Sequence, residues 1–225
     1  MNIETNPEQM LEKTRYNMVV QQIRPWYVFN DEVLDLLYEI RREEFVPQAY
    51  RQAAFVDMKI PLEQGQVMLE PKMEARILQE LHIKKTDKIL EVGTGSGYMT
   101  ALLAKLGAHV YSVEIIPEFK NIAAANLSAH NLDNITLEQG DAAHGWSAHA
   151  PYDVIVITAS TPVLPDSFKN SLNVGGRLFA VIGEDPVMEA KLITCVAPGE
   201  FTETLVFETS IPALINAAQA EKFVF

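Results

Sequence analysis

The sequence predicts a doubly wound α/β fold: a mostly parallel, seven-stranded sheet with helices on both faces, a helical extension before it and an antiparallel hairpin at one edge. From residue 87 onward, short apolar segments alternate with amphipathic ones, an order typical of parallel sheets. Before that point, from residue 8 to 81, apolar residues recur at helical spacing. We therefore expect one structural unit in which an extension and substrate-side loop (1–85) pack on an α/β domain (86–225).

The seven predicted strands are short apolar segments bounded by turn residues. They are 88–92, 109–114, 134–138, 153–158, 176–182, 190–196 and 203–209. Helices are predicted at 98–106 and 118–130, between the first three strands. The last two strands have no room for a helix between them, so they are expected to form the edge hairpin.

The helical extension has one clear amphipathic helix. Its apolar residues fall on one face: Val33, Leu36, Leu37 and Ile40. Asn30 or Asp31 is suited to cap it, and Pro71 is suited to the first turn of a later helix that ends near residue 81. Between these helices, residues 55–69 are expected to form an irregular surface loop.

The composition excludes several functional classes. The chain has 225 residues, 48% of them hydrophobic, and a formal net charge of −12. An acidic chain without a basic stripe is a poor ligand for nucleic acid or for an anionic membrane surface, and no apolar run is long enough to span a bilayer. The single cysteine, Cys195, excludes an intrachain disulfide. We expect a soluble cytoplasmic protein.

The strongest chemical signal is the segment 89–98, where a buried strand runs into a glycine-rich turn and then a helix. A dinucleotide fingerprint needs its third glycine three residues after the second, but Gly97 follows Gly95 by two, and this spacing excludes a nicotinamide dehydrogenase. Glu-Val-Gly-x-Gly-x-Gly resembles the turn of S-adenosylmethionine-dependent methyltransferases; a purely structural turn is the alternative. The candidate cofactor-binding residues here are Glu91, Gly93, Thr94, Gly95, Ser96 and Gly97.

Later features fall in the order that such a cofactor site requires. Glu114, followed by Ile115, ends the second strand, where a carboxylate can accept hydrogen bonds from both ribose hydroxyls; a solvated strand end is the alternative. Gly140, Asp141 and Ala142 follow the third strand, where the aspartate can bond the adenine amino group or simply cap a helix. The fourth strand would end beside the sulfonium. Together they predict that S-adenosyl-L-methionine is the cofactor.

Four further segments resemble the protein-L-isoaspartate O-methyltransferase family, and with the glycine turn the resemblance covers nearly the whole chain. They are Arg-Arg-Glu-Glu-Phe-Val-Pro (41–47), Ile-Pro-Leu-Glu-Gln-Gly-Gln (60–66), Gly-Gly-Arg-Leu (175–178) and Val-Ile-Gly (181–183). The resemblance implies a Rossmann-like methyltransferase that esterifies isoaspartyl carboxylates of damaged proteins as a repair step. An ionised carboxylate is already a nucleophile, so positioning is the main catalytic requirement. No metal is implied.

The chain departs from the family pattern where the acceptor should bind. After the Gly-Gln pair the family reads Thr-Ile-Ser-x-Pro, whereas residues 67–72 read Val-Met-Leu-Glu-Pro-Lys. Leu69 replaces the serine, Glu70 adds a negative charge and Lys72 can offset it, so these three are the acceptor-side candidates. Near the end, Thr-Ser-Ile-Pro-Ala (209–213) stands where the family has Arg-Phe-Val-Pro-Leu, so the arginine and the phenylalanine are absent.

These departures leave three hypotheses open. The first is an isoaspartyl carboxyl methyltransferase with a protein or peptide acceptor. The second is a family member with a changed acceptor, which includes small molecules, and the third is a non-catalytic regulatory protein that binds the cofactor. Monomer and homodimer are equally compatible with the sequence. The apolar terminus, Phe223 to Phe225, is expected to pack on the body of the protein or on a partner.

Overall fold

The computed structural model describes residues 6–219, so the expectation for Phe223 to Phe225 lies outside the described residues. The chain divides into two compact units between Gln79 and Glu80, and each is described separately. The sequence-based boundary at 85/86 and the packing of the extension on the α/β domain stay predictions.

The first unit contains the two predicted helices and one more before them. They are α1 (Pro7–Met18), α2 (Asp31–Glu39) and most of α3 (Pro71–Leu81). Of the two candidate caps for α2, Asn30 is the one used, because its side chain accepts a hydrogen bond from the Val33 amide at 3.3 Å. Pro71 begins α3, as its fixed φ and missing amide favour. Among residues 6–219, no helix is both long and apolar enough to cross a membrane.

The predicted irregular loop at 55–69 is wrong in one respect. It contains a small antiparallel ribbon, β1 (Ile60–Pro61) and β2 (Val67–Met68), whose strands are joined by a 3₁₀ turn. Strands of two residues are too short to show a periodic pattern, which explains why the sequence does not reveal them. Ile60 and Met68 pair across the ribbon and are both buried, so the ribbon is fixed by its apolar side chains.

The second unit is the predicted α/β domain. Its strands are β3 (Lys88–Val92), β4 (His109–Glu114), β5 (Ile135–Gln139), β6 (Tyr152–Thr161), β7 (Leu172–Glu184), β8 (Val187–Ala197) and β9 (Glu200–Thr209). Its helices after α3 are α4 (Tyr98–Leu106), α5 (Pro117–Ser128) and α6 (Asp166–Asn170). The seven-stranded sheet has the order β5-β4-β3-β6-β7-β8-β9. The β3 to β7 pairs are parallel, and β8 and β9 form the predicted antiparallel hairpin at the edge.

One helix of the structure was not expected. Residues 140–151 form turns and irregular structure, so strands β5 and β6 are joined without a helix, and none was predicted there. The short helix α6 was not predicted, because five residues are too few for an amphipathic pattern. The strand order reverses at β3, which has β4 on one side and β6 on the other. Such a switch point at the carboxyl ends of parallel strands is where α/β sheets bind ligands.

A buried carboxyl group lies in the central strand. Glu91 is fully inaccessible, and its Oε2 accepts hydrogen bonds from the Ser112 hydroxyl at 2.7 Å and from the Thr100 hydroxyl. Its Oε1 has no hydrogen-bond partner among the described residues. Burial raises the pKa of Glu91 to about 8, and the nearby Glu114 carboxyl adds to the rise, while the two hydroxyl donors oppose it. The side chain is therefore mostly neutral at pH 7.

Replacing Glu91 with Gln is expected to flatten the pH dependence of stability. A carboxyl group whose pKa is raised on folding favours the folded state fully below its unfolded pKa, near 4.5, and this contribution is lost as pH rises through about 8. The wild-type protein should lose about 1.4 kcal/mol per pH unit in that window relative to Glu91→Gln.

Thermal unfolding of both proteins between pH 4 and pH 9 measures this difference. Glu12→Gln changes an exposed carboxylate in α1 and serves as the control, which should follow the wild type at every pH. A constant difference in Tm between wild type and Glu91→Gln would contradict the prediction.

Candidate functional site

The glycine-rich turn after β3 has a conformation that side chains would prevent. Gly93, Gly95 and Gly97 have φ values of +94°, +54° and +85°. A Cβ atom added to Gly93 would lie 2.5 Å from the Thr158 hydroxyl oxygen, and one added to Gly97 would lie 3.1 Å from the Cβ of Ala123 in α5. The turn therefore brings backbone close to the neighbouring strand on one side and to a helix on the other.

The Glu114 carboxylate at the end of β4 fixes this turn. Its Oε2 accepts a hydrogen bond from the Gly95 amide and its Oε1 accepts one from the Ile116 amide, each at 2.9 Å. Only 4% of Glu114 is exposed, so the alternative of a solvated strand end is wrong. Ile115, the next candidate, is half-buried.

Hydroxyl groups beneath the turn link it to the buried carboxyl of β3. The Thr94 hydroxyl lies 2.6 Å from the Ser112 hydroxyl, which in turn donates to Glu91. Thr94 and Ser96 are both buried, and the Ser96 carbonyl accepts a hydrogen bond from the Asn126 side chain at 2.9 Å. Thr94 and Ser96 thus connect the turn to β4 and to α5.

The segment after β5 also forms a fixed turn. Asp141 is exposed, and its Oδ1 accepts a hydrogen bond from the Ala143 amide at 3.0 Å. No helix begins in residues 140–151, so the helix-cap alternative for Asp141 is wrong. A Cβ atom on Gly140 would lie 2.5 Å from the Trp146 ring, which packs over that backbone, and Ala142 is buried in the core.

The order of the strands places these features side by side. The Gly93 amide donates to the Val113 carbonyl at 2.9 Å, and the Gly140 amide donates to the Glu114 carbonyl at 3.0 Å. Hydrogen bonds therefore join the segments that follow β3, β4 and β5 at the carboxyl ends of these strands.

Thr158, near the end of β6, is a residue that sequence reasoning missed. Its hydroxyl hydrogen is shared between the carbonyl oxygens of Val92 and Gly93, at 3.0 and 2.7 Å. It therefore fixes the side of the glycine turn opposite to Glu114. The available signal was its position at the end of the strand that follows the switch point.

The acceptor-side candidates lie in the first unit. Leu69 has an exposed fraction of 5%, so its side chain packs inward. Its carbonyl accepts a hydrogen bond at 2.6 Å from Arg42, a buried side chain that also pairs with Glu74 and donates to the Ala54 carbonyl at 2.9 Å. Arg42 fixes the main chain at Leu69, a role that the sequence does not reveal.

The other two acceptor-side candidates are engaged with opposite charges. The Oε1 of Glu70 lies 3.9 Å from the Lys59 ammonium group. The Lys72 ammonium group lies 2.7 Å from the Asp57 carboxylate and 5.0 Å from the centre of the Trp26 ring. Lys72 therefore neutralises Asp57 rather than Glu70.

Two solved structures resemble this one over most of its length. A protein-L-isoaspartate O-methyltransferase is 24% identical, with a TM-score of 0.79 over 93% of this chain and 67% of the other. A Plasmodium falciparum protein described as a protein-L-isoaspartate O-methyltransferase, solved with S-adenosyl-L-homocysteine, is 20% identical, with a TM-score of 0.75 over 94% of this chain and 99% of the other. At these identities the likeness establishes the fold alone.

The sequence provides the family assignment. The profile of the protein-L-isoaspartate(D-aspartate) O-methyltransferase family matches residues 13–209, which is most of the 225-residue chain. The match includes the first unit from the second half of α1 as well as the glycine turn and the strand ends. The chain therefore belongs to the protein-L-isoaspartate(D-aspartate) O-methyltransferase family and is a carboxyl O-methyltransferase with S-adenosyl-L-methionine as its cofactor.

Proposed function

We propose that this protein methylates the carboxylate of isoaspartyl residues in damaged proteins, with the cofactor held at the carboxyl ends of β3, β4 and β5. The observation that carries the proposal is the convergence of a left-handed glycine turn and two carboxylates, Glu114 and Asp141, at the switch point of the sheet. Together they offer a close-approach surface and two acceptors to a nucleoside.

The groups present fit S-adenosyl-L-methionine. A ribose diol and an adenine amino group are donors, and the two carboxylates are acceptors with lone pairs remaining after their amide contacts. Gly93 and Gly95 give the turn a left-handed backbone that other residues rarely adopt. When bound, this cofactor supplies a methyl group on a cationic sulfur.

Each candidate residue has a specific role in the proposal. Glu114 accepts from the ribose hydroxyls, with the main chain at Ile115 beside it, and Asp141 accepts from the adenine amino group, with Gly140 and Ala142 shaping the turn that presents it. These assignments follow the donor and acceptor character of each group.

The glycine turn and the residues beneath it complete the cofactor site. Gly93, Gly95 and Gly97 give the turn its left-handed backbone, and the Ser96 main-chain amide lies just before α4, where the helix dipole favours the cofactor's carboxylate. Glu91 and Thr94 stabilise the turn through hydrogen bonds to the Ser112 hydroxyl and do not contact the ligand.

The chain's own contribution to the reaction is alignment. The acceptor is a carboxylate, which is ionised and nucleophilic at neutral pH, so no side chain has to remove a proton from it. Positioning a nucleophile against a reactive group is equivalent to an effective concentration on the order of 10⁵ M or more. A rigid turn, fixed by Glu114 on one side and Thr158 on the other, serves this purpose.

A changed acceptor is the second candidate function, and the first unit supplies the observation that favours it. The side chain at position 69 is apolar and buried, so it offers no donor to an acceptor carboxylate, and the charge of Lys72 is already offset by Asp57. Glu70, paired at 3.9 Å with Lys59, adds a negative charge to the same segment.

We also propose that the protein acts in the cytoplasm and does not bind nucleic acid. Cys195, its only cysteine, is a buried thiol, which suits a reducing compartment. The net charge of −12 disfavours a polyanionic partner.

Replacing Gly93 with Ala is expected to weaken the binding of S-adenosyl-L-homocysteine at least ~10-fold, because a left-handed Ala is strained by about 1–2 kcal/mol and its methyl group would overlap the Thr158 hydroxyl. Isothermal titration calorimetry measures the loss. Gly199→Ala is the matched control, since Gly199 has a φ of +77° with open space around it. Equal binding by both variants would contradict the role of the turn.

Replacing Glu114 with Gln is expected to weaken the same ligand about 10- to 100-fold, because hydrogen bonds to a charged acceptor contribute about 1.5–3 kcal/mol. The loss should shrink for an analogue that lacks both ribose hydroxyls, which has no donors for Glu114 to accept. Glu118→Gln, an exposed site in the first turn of α5, is the control and should bind like the wild type. A loss of equal size for both ligands would assign Glu114 a purely structural role.

Incubation with methyl-labelled S-adenosyl-L-methionine and an isoaspartyl peptide is expected to give a base-labile methyl ester, whereas the matched aspartyl peptide remains unlabelled. Alkaline release of labelled methanol measures the ester. If the isoaspartyl peptide stays unlabelled while components of a cell extract are labelled, a changed acceptor is supported. Binding of the cofactor without labelling of any acceptor would contradict catalysis.

A further inference from the structure

The chain after β9 returns to the carboxyl end of β6. Residues 210–217, which we call the tail segment, run beside Ser160: the Ser160 amide donates to the Pro212 carbonyl at 2.9 Å, and the Leu214 amide donates to the Ser160 carbonyl at 2.8 Å. The Ser160 hydroxyl donates to the Ile211 carbonyl at 2.9 Å. Leu214 packs against the apolar core of the sheet, so the tail segment has a fixed path.

A tight turn at Asn216 ends this path. Asn216 has a left-handed backbone with a φ of +61°, and the Ala217 amide donates to the Leu214 carbonyl at 3.1 Å. Asparagine tolerates this conformation better than most residues. The turn directs the Asn216 side chain at the segment after β5, where its Nδ2 donates to the Oδ2 of Asp141 at 2.8 Å.

Both oxygens of the Asp141 carboxylate therefore have a protein donor. Oδ1 accepts from the Ala143 amide, which is local, and Oδ2 accepts from Asn216, which is 75 residues away in the sequence. An amide oxygen turned toward the carboxylate would be repelled, so the nitrogen of Asn216 is the atom that faces it. With one donor at each oxygen, the plane of this exposed carboxylate is fixed, and each oxygen keeps a lone pair for another donor.

We propose that Asn216 is a positioning residue for recognition of the adenine amino group: the tail segment holds the Asp141 carboxylate in the orientation that accepts from it. The inference rests on the proposed role of Asp141. A carboxylate fixed in advance loses less conformational freedom when a ligand binds than one that rotates freely in solvent. Asn216 thus favours ligands that carry a donor at purine position 6.

Calorimetric titration with two ligands tests the proposal. One ligand is S-adenosyl-L-homocysteine and the other is its analogue with unsubstituted purine in place of adenine. Asn216→Gly removes the amide and keeps a residue that accepts a positive φ, so the turn is retained. We expect this variant to bind the adenine ligand about 3- to 10-fold more weakly and the purine ligand as tightly as the wild type.

The matched control is Asn131→Gly. Asn131 is also exposed and left-handed, with a φ of +52°, and it lies after α5 away from the proposed site. It should bind both ligands like the wild type. Hydrogen exchange of the Ala143 amide gives a readout without ligand: Asn216→Gly should exchange this amide faster, because its acceptor, the Asp141 carboxylate, is less constrained.

Asp141→Ala separates failure of this inference from failure of the proposed function. If Asp141→Ala lowers affinity for the adenine ligand and Asn216→Gly does not, the positioning role is overturned and the role of Asp141 stands. If Asp141→Ala binds both ligands like the wild type, both roles fall. Equal losses for the two ligands in Asn216→Gly, or tighter binding by that variant, would also overturn the inference, since they indicate a general structural effect or a tail segment that obstructs the site.

Discussion

The hydrogen bond between the Gly95 amide and the Glu114 carboxylate is the constraint on which the site depends. Three left-handed glycines have little conformational preference of their own, so a turn built from them needs external contacts to adopt one shape. Glu114 supplies such a contact from β4, and Thr158 supplies another from β6 through the carbonyls of Val92 and Gly93. The turn after β3 is thus fixed between its two neighbouring strands, β4 and β6.

The buried Glu91 carboxyl group, which is linked to the turn through Ser112, lowers the stability of the folded protein. A fully buried carboxyl group in the central strand opposes folding at neutral and alkaline pH, because burial raises the pKa of Glu91 to about 8. An apolar residue there would leave the Thr100 and Ser112 hydroxyls without their acceptor and would interrupt the link from Ser112 to Thr94. Buried polar groups near functional sites commonly exchange stability for a unique arrangement, and Glu91 fits that pattern.

The sequence predicts the centre of the fold and the local part of the site. The bounds of β3, β4 and α4 agree with the structure, because a strong apolar alternation and a glycine turn define them locally. Thr158 and Asn216 escape prediction because their partners, Gly93 and Asp141, lie 65 and 75 residues away in the sequence, and no local pattern encodes such contacts. Arg42 escapes for the same reason, since its role depends on the Leu69 carbonyl.

The segment 69–72, proposed to lie on the acceptor side, illustrates how a side chain can change while the fold around it persists. Arg42 contacts the main-chain carbonyl of Leu69, and a carbonyl accepts a hydrogen bond whatever side chain it carries. The same contact would be available with the serine typical of the family, so the exchange for leucine removes a hydroxyl without requiring a new backbone path. The buried pair of Arg42 with Glu74 adds to this independence, because the guanidinium is oriented by a partner outside the segment. A leucine at position 69 therefore changes the side chain of this segment and leaves the Arg42 contact with its main chain intact.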